Sequence, residues 1–381
     1  MDVSVVKCNS YEDSEVTHAL CEALSAVGGL DFVTEGMTVA LKANLVSFMR
    51  PEAAGTTHPA VIIALTRMLR ERGARVIIGD SPGGLYNSVY VGRIYNATGM
   101  RAAVEAGAEL NEDFSVSEAE FPEATAAKKF KYTSYLDKVD AIIDVCKLKT
   151  HGMMGMSCAA KNMFGVVPGT VKPEYHYRYP SYTDFSDMIV DLNEYFKPRL
   201  SVCDAIVGME GNGPTAGKPR SIGCILASES THKLDLAAAY IIGLGCDDVP
   251  TLDAARRRGL IPADVSGLEI FGDIEGFVIG DFDNIASKHS LSFYKDSNNI
   301  IKNIFGKIAG KALMSTPRVT KKECIGCAKC AKICPASAIE IKKGKAEIDR
   351  SKCIRCFCCQ EFCPVGAMKV HRPAVARMLS K

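Results

Sequence analysis

Nine of the sixteen cysteines in this 381-residue chain fall between Cys324 and Cys363. They form two runs of one pattern, Cys324-x2-Cys327-x2-Cys330-x3-Cys334-Pro335 and, twenty-nine residues on, Cys353-x2-Cys356-x2-Cys359-x3-Cys363-Pro364. Three thiolates this close grip three iron corners of a [4Fe–4S] cube, and in two-cluster chains the fourth Cys of each run crosses to the other cube. The pattern therefore assigns Cys324, Cys327, Cys330 and Cys363 to one cluster and Cys353, Cys356, Cys359 and Cys334 to a second. Zinc would take separated Cys pairs with four ligands, and a disulfide framework belongs to oxidising compartments. Neither accounts for two identical runs ending in Cys-Pro. Cys358, the ninth, has no ligand role in the pattern and reads as packing.

A second group of chemistry-bearing residues lies between positions 42 and 212, in polar stretches that follow apolar ones. Lys147-Leu148-Lys149-Thr150-His151 is the densest, with Lys161-Asn162-Met163-Phe164-Gly165 and His176-Tyr177-Arg178 behind it. Ammonium, imidazole and amide groups converging in one crevice make a pocket for carboxylate or phosphate. Lys149 and Lys161 would hold such an anion and stabilise charge developing on it. His151 or His176, titrating ordinarily near neutrality, would donate protons. These four are the candidate catalytic residues.

Lys42-Ala43-Asn44, Thr57-His58-Pro59, Gly79-Asp80-Ser81 and Glu210-Gly211-Asn212 occupy similar places. Lys42, Asn44, His58, Asp80, Asn162, Glu210 and Asn212 are accordingly the candidate substrate-binding residues. Pro59 suits the first position of a helix, which would set His58 at an N-terminus whose free N–H groups favour anions. The loop from Gly79 to Gly84 is neither G-x-G-x-x-G nor a Walker loop, so no nucleotide is read from it. Cys146 and Cys158 flank the basic segment, where neighbouring Lys and His lower a thiol pKa and make a reactive thiolate possible.

An α/β fold is what must position these groups. Strand patterns at 3–6, 38–42, 75–78, 141–145, 200–206, 222–227 and 268–271 alternate with helical patterns at 14–27, 59–71, 184–195 and 233–242. That spacing means βαβ units in a mostly parallel sheet with covering helices. Ligands of open sheets bind outside the carboxyl ends of the strands, where the polar stretches fall. Residues 1–290 are read as this substrate-binding or catalytic domain. In 299–313, Ile300, Ile301, Ile304, Phe305, Ile308, Ala309, Ala312 and Leu313 recur at helical spacing, giving an amphipathic linker over 291–317. A small α+β two-cluster domain over 318–371 and a tail over 372–381 follow.

Forty-six Lys plus Arg against 44 Asp plus Glu are too balanced to point to nucleic acid. At 47% hydrophobic and 24% charged, the composition excludes wholesale disorder. Charge is uneven, however: the two-cluster segment carries twelve Lys and Arg against five Asp and Glu. That excess invites an acidic redox partner such as a free ferredoxin. The chain opens without a secretory leader pattern, and no run reaches the roughly 20 apolar residues that span a bilayer. The expectation is a cytoplasmic protein without integral membrane association, its thiols reduced or metal-bound.

Residues 318–370 resemble the two-cluster bacterial ferredoxin fold along their whole length, including Ala336-Ser337-Ala338 and Val365-Gly366-Ala367 after each Cys-Pro. The resemblance implies two one-electron carriers in series. Over about 1–290, Lys42 to Val46, Thr57-His58-Pro59, Gly79-Asp80-Ser81, Lys147 to His151, Lys161 to Gly165 and Glu210 to Pro214 resemble the domain-of-unknown-function family 362. That family is often joined to a ferredoxin tail. It is similar, more remotely, to the N-terminal domain of nickel-pincer lactate racemase. The likeness implies an α/β fold with an anionic ligand between sheet and loops, at Lys42, Asn44, His58, Lys149, His151, Lys161 and Asn162. No motif for the nickel-pincer cofactor is present.

The function expected is that of a ferredoxin-coupled reductase passing electrons from two [4Fe–4S] clusters to a small anionic organic substrate in the N-terminal domain. Clusters of this type usually lie low in potential, which favours reduction. They pass single electrons, whereas most organic reductions take two; the two clusters in sequence, or a flavin between them, would bridge that gap, and no stretch carries a flavin signature. The alternatives are a non-enzymatic electron-transfer subunit docking on a partner enzyme, and a redox-regulated protein that binds an anionic metabolite. A docking scaffold has no need of Lys, His and Asn concentrated in strand-end loops.

Overall fold

The computed structural model of the chain describes residues 1–285, 315–371 and 373. The helix expected over 299–313 lies outside them. Short runs rich in Val, Ile and Ala form strands β1 (Val3–Lys7), β2 (Thr38–Ala43), β3 (Arg75–Gly79) and β4 (Ala108–Leu110). A hairpin of β5 (Val116–Glu120) and β6 (Lys129–Thr133) follows. Then come β7 (Ala141–His151), β8 (Gly155–Ser157), β9 (Leu200–Glu210), β10 (Lys218–Ser228) and β11 (Ile270–Phe271).

Nine strands make one sheet in the order β11-β1-β10-β9-β7-β2-β3-β4, with β8 folded onto β7. The run β9, β7, β2, β3, β4 is parallel throughout, and β10 runs against both β1 and β9. The domain is thus α/β with a mostly parallel sheet, as the pattern of strands and helices indicates.

Successive side chains of a strand face opposite ways, and this sorts the core. Val39 and Leu41 of β2, Val76 and Ile78 of β3, and Ile143 and Val145 of β7 pack beneath α1 (Asp13–Ser25), α2 (Pro59–Glu71), α3 (Ser88–Ala97) and α4 (Ala102–Glu105). Ala40, Ile77 and Ile142 face the other side. That side is covered by α5 (Ala159–Asn162), α6 (Lys172–Arg178) and α7 (Tyr182–Phe196), and further along the sheet by α8 (Thr231–Ile241) and α9 (Pro250–Arg257).

Strand β7 runs six residues past the expected end at 145, and the extension carries the basic segment. It persists because β9 pairs along it as far as Lys149↔Met209 and β8 folds back onto Lys149, Thr150 and His151. The β5–β6 hairpin was not read from sequence, although Phe130 and Tyr132 of β6 alternate with Lys129 and Lys131.

In the small domain, β12 (Thr316–Val319), α10 (Lys329–Ile333), β13 (Ile339–Lys342), β14 (Lys345–Ile348), α11 (Cys358–Glu361) and β15 (Met368–His371) follow one another. β12 pairs with β15 from Thr316↔His371 onward, two residues before the expected start at 318. The internal repeat extends to the backbone: left-handed residues at Gly326, Ala328 and Ser337 recur at Arg355, Phe357 and Gly366, each offset by the 29 residues that separate the cysteine runs.

This domain is docked on the first. Phe357 is fully buried within the core cluster that holds Phe164 and Phe185, a burial worth about 1.5–3 kcal/mol. Gln360 Nε2 donates to the carbonyls of Asn212 (2.9 Å) and Gly213 (2.7 Å), and the Val370 amide donates to Asn212 Oδ1 at 2.9 Å. Among the described residues no helix is long and apolar enough to cross a membrane.

Candidate functional site

The loops at the carboxyl ends of β2, β3 and β7 open into a cleft of about 760 Å3, counting its mouth. Asn44 comes from beyond β2, Asp80 and Ser81 from beyond β3, Lys149 and His151 from β7, Lys161 and Asn162 from α5, and Lys172 and His176 from α6. The remaining wall belongs to the small domain, through Cys358, Glu361 and Phe362.

A buried polar network forms the floor. Lys42 Nζ lies 2.7 Å from Asp80 Oδ1. Asn162 donates to Asp144 Oδ1 (2.6 Å) and to the Lys42 carbonyl (3.1 Å), and accepts from Asn44 Nδ2 at 2.8 Å. Asn44 Oδ1 in turn accepts from Lys149 Nζ at 2.7 Å, and the Gly55 carbonyl does so at 2.6 Å. Gly165 is required beside this network, since a Cβ there would run into both Lys42 and Asp80.

Three ammonium groups facing the cleft have no carboxylate within ion-pair distance among the described residues: Lys149, Lys161 and Lys172. Lys161 Nζ lies over the Phe164 ring at 4.8 Å, and Lys172 donates to the Ser81 carbonyl. Burial depresses Lys149 and Lys172 to about 7, with Lys161 adding repulsion at Lys149. Burial also lowers Lys161. Three buried amines without a carboxylate partner can hold an anion when they are protonated.

His151 is held in one tautomer. Its Nδ1 accepts from the Met153 amide at 3.1 Å and the Met154 amide at 3.2 Å, so the ring proton sits on Nε2, which lies 3.0 Å from Glu361 Oε1. Burial would raise Glu361, but His151, Lys161 and His176 hold it down to about 2. Glu361 is therefore an anion that orients the imidazole. His176 stacks on Phe185 at 4.4 Å with its Nδ1 buried and unpartnered. Burial lowers it to about 3, so it is not the donor titrating near neutrality that the sequence suggests.

Lys42, expected to bind substrate, is paired with Asp80 and does not line the cleft, and three more expected substrate-binding residues lie elsewhere. His58 caps α2 with its own Nδ1 on the Ala60 amide, stacks on Tyr11 at 3.6 Å and sends its backbone N–H to Asp204. No free helix terminus is left there for an anion. Asn212 holds the small domain, and Glu210 accepts from the Asp283 amide at 3.1 Å. Lys147, two residues from Lys149, is neutralised by Asp204 at 2.8 Å.

Cys146, Cys158 and Cys203 bring their sulfurs within 4.8 Å of one another in the core. Burial pushes the Cys146 and Cys158 thiols well above the ordinary value, which keeps them protonated and removes the reactive thiolate. Lys172, Cys358, Glu361 and Phe362 were missed from sequence. The repeat itself carries the missing signal, since Gln360-Glu361-Phe362 stands where the first run has Ala331-Lys332-Ile333.

Two further cavities lie within the small domain. One is lined by Cys324, Cys327, Cys330 and Cys363, the other by Cys334, Cys353, Cys356 and Cys359, so the fourth Cys of each run does cross over. Backbone amides point at the sulfurs: Ala338 to Cys334 (3.3 Å), Ala367 to Cys363 (3.2 Å) and Ala346 to Cys324 (3.5 Å). The amides of Ala346 and Gly326 lower the Cys324 thiol. Four sulfurs around a cavity, with N–H donors to the thiolates, fit an iron–sulfur cube.

Residues 39–240 match the family described as Domain of unknown function (DUF362). The chain belongs to this family. Residues 316–364 match the 4Fe-4S dicluster domain, so this DUF362 protein carries an iron–sulfur electron-transfer module. It is 31% identical over 268 residues to the thylakoid-associated protein sll1697 of Synechocystis sp., covering 68% of this chain and 80% of that one. The lactate racemase apoprotein from Thermoanaerobacterium thermosaccharolyticum aligns with a TM-score of 0.41 and 11% identity, over 62% of this chain and 55% of the racemase.

Proposed function

We propose that this DUF362 protein is a ferredoxin-coupled reductase whose substrate is a small organic anion bound in the cleft between the two domains. The observation that carries the reading is the composition of that cleft: three unneutralised lysines on one wall and the dicluster domain as the other. The donor sets Cys324, Cys327, Cys330, Cys363 and Cys334, Cys353, Cys356, Cys359 fit one [4Fe–4S] cluster each. When bound, such clusters supply electrons one at a time.

Lys161 and Lys172 draw the anion in and hold it, and Lys149, fixed by Asn44 and Gly55, meets the charge that develops on reduction. His151 holds its Nε2–H beside Glu361 at the cleft wall, where a bound anion would share it as a hydrogen bond. Phe164 and Phe362 line the cleft and exclude water, which strengthens every charge interaction inside.

The test is mass spectrometry of small molecules released on denaturing anaerobically purified, cluster-containing protein. An organic anion released by the wild type and absent from Lys161→Ala, with cluster absorption intact in both, supports the reading. The same molecule released equally by the variant, or none by the wild type, counts against it.

A further inference from the structure

The two cysteine-lined cavities differ in their surroundings. The cavity of Cys334, Cys353, Cys356 and Cys359 is also lined by Phe357 and Cys358, and Cys358 lines the cleft as well. Cys356, Phe357, Cys358 and Cys359 are all buried. The cavity of Cys324, Cys327, Cys330 and Cys363 lies at the surface: Cys327 is exposed, and two other lining residues, Ile325 and Val365, are 63% and 43% exposed. Large apolar side chains standing this far into water on a small domain mark a contact surface.

The charge near that surface is mainly positive, its exposed Glu323 being paired with Lys369 at 3.0 Å. Lys321 and Lys322 precede Cys324, and Lys329 and Lys332 lie on α10 beside Cys330; all four are exposed. Lys321 has Glu347 at 3.2 Å. Among the described residues Lys322, Lys329 and Lys332 have no ion-pair partner. The domain as a whole carries twelve Lys and Arg against five Asp and Glu, and one of those five, Glu361, is turned into the cleft. Exposed apolar residues with unpaired lysines close by in the chain suit a small, transient interface with an acidic protein, steered by charge and released quickly.

We infer that the two cavities serve opposite ends of one route, and that the face bearing Cys327, Ile325 and Val365 with Lys322 and Lys329 is the docking surface for an acidic one-electron carrier protein. This rests on the electron-transfer part of the function proposed above and names its partner and place of entry. The step transfers one electron: the carrier is oxidised by one, the docked protein is reduced by one, and no bond or proton moves. None of the residues that line the cleft-side cavity is exposed, and it shares Cys358 with the cleft.

The experiment mixes cluster-loaded, oxidised protein with a reduced acidic plant-type ferredoxin, follows bleaching by stopped flow, and measures the affinity of the pair by calorimetry. Wild type should be reduced rapidly, with the rate falling as salt is added. The Lys322→Glu/Lys329→Glu double variant and, separately, Val365→Glu should each lose at least tenfold in both rate and affinity. Reduction of the Lys322→Glu/Lys329→Glu variant by photoreduced deazaflavin, a small reductant that needs no docking surface, should be unchanged and shows that the clusters are intact. Variant rates and affinities equal to wild type, or no salt dependence, would overturn the assignment. So would a wild-type dimer that dissociates on Val365→Glu, because a second copy would then be the occupant. No substrate is present, so failure of the anion reading and failure of the docking surface are seen separately.

Discussion

Five lysines lie at or near the carboxyl ends of the central strands, and they fall into two groups. Lys42 and Lys147 are fully buried, each with a carboxylate at hand, Asp80 at 2.7 Å and Asp204 at 2.8 Å. Lys149, Lys161 and Lys172 surround the cleft without one, resting on carbonyls, an amide oxygen and aromatic rings. The first group is neutralised inside the fold and is spent on it. The second has no carboxylate within ion-pair distance among the described residues, and in the proposed function an anionic substrate supplies the counter-charge. Residue type is the same in both groups; only the neighbouring strand's contribution separates structure from site.

Breaking a pair of the first group should give the largest effect. Asp204→Asn leaves the Lys147 ammonium buried with Tyr11 Oη at 2.8 Å and no opposing charge. Removing one partner of a buried ion pair costs about 3–5 kcal/mol, to be measured as a shift in the urea midpoint. A loss under about 1 kcal/mol would erase the distinction between the groups. Lys161→Ala should behave in the opposite way, with stability within about 1 kcal/mol of wild type because no partner is orphaned. Its affinity for phosphate as a probe anion should fall roughly tenfold to hundredfold, the worth of a charge-assisted hydrogen bond of about 1.5–3 kcal/mol. Calorimetric titration of both variants reads the contrast directly.

pH sharpens it further. Lys149 and Lys172 sit near 7 in the ligand-free fold, against an ordinary 10.5. Only the protonated forms attract an anion, so affinity should fall as pH rises above 7, by up to about tenfold per unit for each lysine. Stability of the ligand-free protein should move the other way. Between about 7 and 10.5 the unfolded chain binds more protons than the folded one, so these lysines make stability rise with pH across that window. Lys149→Met should flatten both slopes. Parallel slopes in affinity and stability would show that the depressed values do not belong to the cleft lysines.

Legibility in the sequence followed the same division. The cysteine sets could be read because all their ligands lie within a 40-residue stretch and the spacing is itself the coordination geometry. The sheet could be read because apolar strands and helices alternate at βαβ spacing. Lys149 was named as a site residue and Lys147 was not, but their strand pattern, two apart on one strand, gives no ground for the choice, because Asp204 reaches Lys147 from 57 residues away and Asn44 reaches Lys149 from 105. His58 was correctly placed at a helix start, but its own ring fills the anion position it was expected to offer. Glu361 was hidden in the ferredoxin repeat, since its place in the cleft depends on how one domain docks on the other. The break in the repeat at residues 360–362 was visible, and Gln360, Glu361 and Phe362 all meet the large domain: Gln360 bonds Asn212 and Gly213, Glu361 lies beside His151, and Phe362 packs on Gly83.

The smallest expected effect concerns Asn212, which sequence reasoning groups with the ligand residues and the structure sets at the domain seam. Its Oδ1 accepts from the Val370 amide at 2.9 Å, and its Nδ2 reaches the Met368 carbonyl at 3.4 Å. Asn212→Ala removes both contacts but leaves the backbone carbonyl that Gln360 uses. One good and one long hydrogen bond amount to about 1 kcal/mol. That loss should appear as about fivefold faster hydrogen exchange at the Val370 amide, with exchange in β7 unchanged. Affinity for the probe anion should stay within about twofold of wild type, because Phe357 and Gln360 still seat the small domain. If the anion affinity instead collapses while Val370 stays protected, Asn212 belongs with the unpaired lysines and the seam has been drawn in the wrong place. A side chain that only joins two walls should change how long they stay together, whereas one that meets the ligand should change how tightly the ligand is held.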